Sequence, residues 1–145
     1  PHKNVAWEDK KFLTKSGKIE FNFNKMNYNK EESKFRLLTN HSKDTLFSQH
    51  VMDEKGPAKA YINSKEAKKL NIYEEENVSL ISDNGKITVQ IIIDDCIGDN
   101  IVMMYVGWWR KHGNPNYITV SGISDIGGQV TYNETLVDIV KEKGE

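Results

Sequence analysis

This sequence predicts a mainly β domain closed into a small barrel, and three observations carry that prediction. Short runs alternate apolar and polar residues along much of the chain. Asn84-Gly85 separates two such runs, the strongest short-range hairpin signal. Only one stretch carries helix start and stop signals, so the apolar faces must be buried sheet against sheet. With about seven or eight short strands, a barrel buries them without leaving exposed edges.

Residues 1–16 are polar and irregular, with Trp7 and Phe12 as large apolar residues. After the Ser16-Gly17 turn, Lys18–Phe23 alternates as a half-exposed strand does. Residues 24–34 are a polar linker, so 1–34 forms a lead-in arm and 35–145 the main domain.

The main domain opens with an apolar run (Phe35, Leu37, Leu38) that turns abruptly polar: Thr39, Asn40, His41, Ser42, Asp44, Thr45, Ser48, Gln49 and His50. Leu46 and Phe47 sit within it to hold the loop down. Neutral donors and acceptors on a loop leaving a strand suit a polar heterocycle or a phosphate, and equally an ordinary solvated loop. Ala58–Ile62 alternates as a strand. Asn63-Ser64-Lys65-Glu66 matches a capping box, which opens a short helix over 64–70. Asn71 stands where a left-handed residue ends it. Glu74-Glu75-Glu76 has no His or Cys nearby and is a solvated turn.

Val78–Ser82 and Lys86–Ile93 flank the hairpin, and Val78, Leu80, Ile87, Val89, Ile91 and Ile93 share one parity that faces the core. Ile101–Val106 is continuously apolar, which suits a strand buried on both faces. The loop Gly107–Asn116 follows, and its adjacent Trp108 and Trp109 cannot both point into one core. One of them should meet a ligand, a partner or another domain, or both pack over the barrel mouth. Tyr117–Val120 is a short strand-like run, 121–129 a glycine-bearing loop, and Val130, Tyr132, Leu136, Val137 and Ile139 supply a last strand. The charged tail from Lys141 frays.

Composition narrows the function. The chain has 145 residues, 37% hydrophobic and 28% charged, a globular balance with no tract long enough to span a membrane. A net charge of −1 recruits no nucleic acid. Cys96 alone excludes an internal disulfide or a multi-cysteine metal site, and it is a packed or idle thiol. The chain starts at Pro1 with no charged-then-apolar leader, as a processed chain or an excised piece does, and the compartment stays open between cytoplasm and periplasm. His41, Ser42 and Asp44 suggest a hydrolase triad, but side chains so close in sequence rarely converge in those roles. There is no phosphate loop, no dinucleotide fingerprint, and no metal-ligand spacing among His2, His41, His50 and His112. By elimination the chain is a binding domain. An alternative is a stand-alone barrel that binds a protein partner through Trp108 and Trp109.

Three blocks in fixed order carry a resemblance. They are Leu37–Ser42 with Leu46–Gln49; Ala60–Asn63, Glu66–Ile72 and Asn77-Val78, continuing to the hairpin; and Gly107–Trp109, Asn116–Thr119, Asp125, Gly127-Gly128, Tyr132 and Val137–Ile139. Together they resemble the C-terminal cofactor-binding domain of the molybdopterin oxidoreductases, the dimethyl-sulfoxide-reductase superfamily, over about residues 35–140. The resemblance implies a double-psi β-barrel that binds a molybdopterin guanine dinucleotide, with Mo or W carried together with the other domains of a larger oxidoreductase. Its implied partners are those domains. Its implied site is Thr39, His41, Ser42, Ser48, Gln49 and His50 along the pterin and diphosphate, with Trp108, Asn116 and Tyr132 at the same mouth. Many members carry Arg in the first block, where Lys43 is the nearest cation here. The metal ligand of the family lies in other domains, so Cys96 does not take that role.

Overall fold

The computed structural model describes residues 7–21, 34–43, 45–47, 55–124 and 127–142. The chain divides into two compact units, Pro1–Lys30 and Glu31–Glu145. The described part of the first unit is a series of turns. Lys10 N–H donates to the Trp7 carbonyl at 2.8 Å, Gly17 N–H donates to the Thr14 carbonyl at 3.0 Å, and the Trp7 and Phe12 rings stack at 6.4 Å. Residues 18–21, the described part of the expected strand at 18–23, are not in a strand.

The second unit is a closed barrel of six strands: β1 (Phe35–Asn40), β2 (Ala58–Ile62), β3 (Asn77–Ser82), β4 (Gly85–Ile93), β5 (Ile101–Tyr105) and β6 (Leu136–Lys141). Around the barrel they run β1-β5-β2-β4-β3-β6. β1 pairs parallel with β5 and β2 parallel with β4, and the remaining contacts are antiparallel. The two parallel pairs, β2–β4 nested inside β1–β5 along the chain, lie side by side as the six strands close into the barrel that the sequence predicts. One helix, α1 (Ser64–Leu70), links β2 to β3.

Strand parity explains the core. Leu37, Ala58, Ala60, Ile62, Val78, Leu80, Val89, Ile91, Val102, Met104 and Val137 are wholly buried, and Phe35 and Ile87 nearly so. Ala60 stands opposite Met104 on one side and Ile91 on the other, so a small side chain leaves room for two large ones. Met103 is buried on the opposite face of β5 from Val102 and Met104, as the unbroken apolar run predicts. Burying each Val, Leu, Ile, Phe or Met among them contributes about 1.5–3 kcal/mol. An exposed ion pair such as Lys65–Asp99 is screened by solvent and contributes little, so the inner face dominates.

Helix α1 starts and stops where its sequence directs. Asn63 Oδ1 accepts from Glu66 N–H at 2.8 Å. The Glu66 carboxylate pairs with Lys69 Nζ at 2.8 Å, where a capping box would turn it back to Asn63. Asn71 ends the helix at φ 54° and ψ 42°. Its N–H donates to Lys68 O, and Ile72 N–H donates to Ala67 O at 2.9 Å, the paired bonds of a Schellman end.

Two expected strands and the expected frayed tail change. Tyr117 belongs to a 3₁₀ turn, Pro115–Tyr117, and 118–120 are irregular, because Pro115 sets a turn at its start. Val130 makes a single bridge to Ile123, and Tyr132 lies in the 3₁₀ turn Tyr132–Glu134, so the last strand begins at Leu136. Lys141 is not frayed: it pairs opposite Val78, and its Nζ lies 2.8 Å from Glu76.

Candidate functional site

The parallel pairing of β1 with β5 builds one rim of the barrel. Register runs Arg36 to Ile101 through Asn40 to Tyr105, so both strands end side by side. Val106 N–H donates to Asn40 O at 2.9 Å, extending the ladder one step. Two loops therefore leave the same rim together, one from Asn40 and one from Val106.

The second loop is shaped residue by residue. Gly107, at φ 96°, turns the chain as it leaves β5. Trp108 then drops into the core at 3% exposure, and Trp109 stays outside at 42%. Arg110–His112 make a 3₁₀ turn that Gly113 ends at φ 100°. Asn114 Oδ1 accepts from Asn116 N–H at 2.9 Å and starts the next turn, with Pro115 at its first position.

The β3–β4 hairpin fastens this loop. Its two-residue turn is Asp83-Asn84, with Ser82 paired to Gly85. Ser82 Oγ donates to Ile118 O at 2.6 Å, and Asn84 Nδ2 donates to Thr119 O at 2.7 Å. At its far end, Val120 N–H donates to Thr135 Oγ1 at 3.0 Å.

Phe47 from the first loop meets Val106, Gly107, Trp108, Trp109, Arg110, Asn114, Pro115 and Asn116 around a cavity of about 540 Å³. His41 packs edge-on against Phe47 with ring centroids 4.5 Å apart. Aromatic rings and side-chain amides around one opening can hold a flat heterocycle, the rings by stacking and the amides by hydrogen bonding.

The expected site residues fall into three groups. Trp108 and Asn116 line this cavity, and His41 reaches it through Phe47. Thr39 and Tyr132 lie elsewhere. Thr39 points inward from β1 at 9% exposure, with its N–H 3.2 Å and its Oγ1 3.4 Å from Asn133 Oδ1. Tyr132 is in the adjoining turn, half exposed, and is not among the residues lining the cavity. Ser42 is half-buried on the first loop. Ser48, Gln49 and His50 lie outside the described residues. Asn114 and Arg110 join the site without having been singled out, and Phe47, expected only to hold the first loop down, joins it too; only the turn chemistry of Gly113-Asn114-Pro115 signalled that the second loop was structured.

A second opening, of about 630 Å³, lies on the other flank of the Arg110–His112 turn. Gly56, Pro57, Lys86, Ile87, Thr88, Arg110, Lys111, His112, Gly113 and Tyr117 line it. His112 Nδ1 donates to Gly56 O at 2.7 Å. Arg110 lies over the Tyr117 ring at 5.5 Å, and Lys111 lies over the Trp109 ring at 5.3 Å. Beside this opening Glu142 accepts from Thr88 Oγ1 at 2.7 Å and from Ser79 Oγ at 3.0 Å. Those hydrogen bonds, Thr88 first, and the charge of Lys86 hold its carboxyl below the ordinary carboxylate value. Among the described residues no group of three or more His, Cys, Asp or Glu is placed to hold a metal ion, and no helix is long and apolar enough to cross a membrane.

Comparisons with known proteins agree with this architecture. A family described as "Molydopterin dinucleotide binding domain" matches residues 28–136. Among solved structures, acetylene hydratase from Pelobacter acetylenicus superposes with a TM-score of 0.65 at 13% identity, over 76% of this chain and 18% of that one. That likeness is one of fold, and this chain spans under a fifth of that protein's length. A comparison with curated sequences yields no match.

Proposed function

We propose, from the premise that this chain belongs to the molybdopterin dinucleotide-binding domain family, that its two-loop rim holds and orients a molybdopterin guanine dinucleotide as one domain of a larger Mo- or W-dependent oxidoreductase. The observation that carries the reading is the cavity itself. Loops leaving adjacent parallel strands enclose it with Phe47, Trp109, Asn114 and Asn116. A pterin is a flat array of donors and acceptors, and rings with side-chain amides fit such a group.

The bound cofactor would supply the redox chemistry, and this chain's residues would bind and position it. Trp109 offers a half-exposed ring for stacking, and Asn116 a side-chain amide. His41 braces Phe47 at the rim. Thr39, Ser42 and Tyr132 stay in the reading as the flank nearest β1, and Ser48, Gln49 and His50, outside the described residues, stay in it on the family resemblance alone. The Tyr132–Glu134 turn is tied there by Asn133 and by the Arg36–Glu134 ion pair. The reaction class rests on the family resemblance alone: the superposing protein is named a hydratase, and one fold can carry several chemistries.

The rival, a free-standing interaction module anchored on both tryptophans, needs both exposed. Trp108 is buried, which leaves Trp109 without its neighbour as an anchor.

Native mass spectrometry of the 145-residue chain, mixed with dinucleotide extracted from an intact molybdoenzyme, tests the proposal. A bound fraction that rises to one equivalent is expected, with affinity about tenfold lower in Asn116→Ala, the loss of roughly one well-made hydrogen bond. No bound cofactor at any concentration, beside an intact enzyme that retains its own, counts against the site.

A further inference from the structure

We infer that the groove between the Arg110–His112 turn and β4 is the phosphate-holding part of the site, where Lys86, Arg110, Lys111 and His112 receive the diphosphate of the ligand whose heterocycle lies in the adjoining cavity. This rests on the proposed cofactor reading for the ligand's identity and on the groove's own chemistry for the anion.

Four observations support it. Among the described residues the groove is lined by three permanent cations and an imidazole, and by no carboxylate. Elsewhere Arg36, Lys65, Lys69 and Lys141 are each paired with a carboxylate. Among the described residues, no carboxylate lies within ion-pair distance of Arg110 or Lys111; each is held over an aromatic ring instead, Tyr117 and Trp109 respectively. A cation held by a ring keeps its N–H donors for an anion, and guanidinium matches phosphate oxygens two at a time.

The backbone is held as firmly. A Cβ added at Gly113 would lie 2.6 Å from Thr88 O, so the turn carrying Arg110 and Lys111 sits hard against β4, where Lys86 and Thr88 stand. His112 is fixed across the groove by its bond to Gly56 O. Glu142, beside the groove, is held by Thr88 and Ser79, and its charge bears on Lys86.

Arg110 lines both openings. A ligand with a flat ring at one end and a diphosphate further along can therefore span the turn, ring against Trp109 and phosphates at Arg110. The charge that Lys43 was the nearest candidate to supply on the first loop is found on the second.

Inorganic pyrophosphate is the probe. Titrated into the full 145-residue chain, it should change Trp109 fluorescence saturably as Lys111 shifts from the ring, an effect absent in Trp109→Phe. Arg110→Gln with Lys111→Gln should lower affinity by at least about tenfold at low salt, with an unchanged melting temperature. Lys86→Gln, on the opposite wall, should weaken binding less, and Lys18→Gln should not change it. No saturable binding to the wild type, or equal binding to the double variant, overturns the groove. Extracted dinucleotide that binds both proteins equally also overturns it, leaving the ring cavity standing. Pyrophosphate binding that the double variant loses, in a chain that takes up no dinucleotide, upholds the phosphate groove and removes the cofactor reading. Pyrophosphate that stays bound alongside the dinucleotide overturns the link between the two openings.

Discussion

The carbonyl oxygen of Tyr117 occupies the space where a side chain on Gly85 would begin: a Cβ there would lie 2.8 Å from it. The hairpin glycine is thus needed for a contact across the barrel surface. Neither Gly85 nor Asn84 has positive φ, so the turn does not use the left-handed geometry that an Asn-Gly pair usually supplies. Because the opposing atom is backbone, Gly85→Ala should cost about 1–3 kcal/mol, the usual range for forcing extra volume into a packed contact. Urea unfolding measures the loss. Amide shifts of 116–119 should move with it, and an alanine variant with wild-type stability and shifts would show the contact to be loose.

Thr135 joins three segments, two through its buried side chain and one through its backbone carbonyl. Its Oγ1 accepts from Val120 N–H and donates to Tyr132 O, each at 3.0 Å, and its carbonyl accepts from Leu37 N–H at 2.9 Å. Thr135→Val keeps the shape and removes the hydroxyl, leaving a half-buried amide without its acceptor. That should destabilise the fold by about 1–3 kcal/mol. Thr135→Ser should recover most of it. Hydrogen exchange at the Val120 amide is the specific readout and should speed up in the valine variant alone.

Glu142 makes stability depend on pH in a defined direction. Its carboxyl is held below its ordinary value of 4.5 by hydrogen bonds from Thr88 and Ser79 and by the charge of Lys86. The unfolded chain then binds the proton more readily than the folded one. The stabilisation is present above the ordinary value and is lost as pH falls through the lower folded one. Melting temperature followed from pH 7 downward should fall below about pH 4.5, and Glu142→Gln should lower the value at pH 7 and flatten the fall. An unaltered slope in the glutamine variant would assign the acid sensitivity to Glu76, Asp95 and Asp99, whose carboxyls are also held low by their partners.

Much of this protein is legible along the chain because local geometry encodes it. A two-residue alternation determines which of Val78, Leu80, Ile87, Val89 and Ile91 face inward, and Asn63 and Asn71 mark the ends of α1 by what their own backbones and side chains can do. The three ordered blocks of residues likewise sufficed to identify the family. Only the tertiary structure decided which loops share a rim, that Trp108 is core and Trp109 is not, and that Lys86 stands across a groove from Arg110 and Lys111. Those relations follow from the parallel register of β1 with β5 and the close approach of Gly113 to Thr88, contacts between residues distant in the chain that no local periodicity specifies.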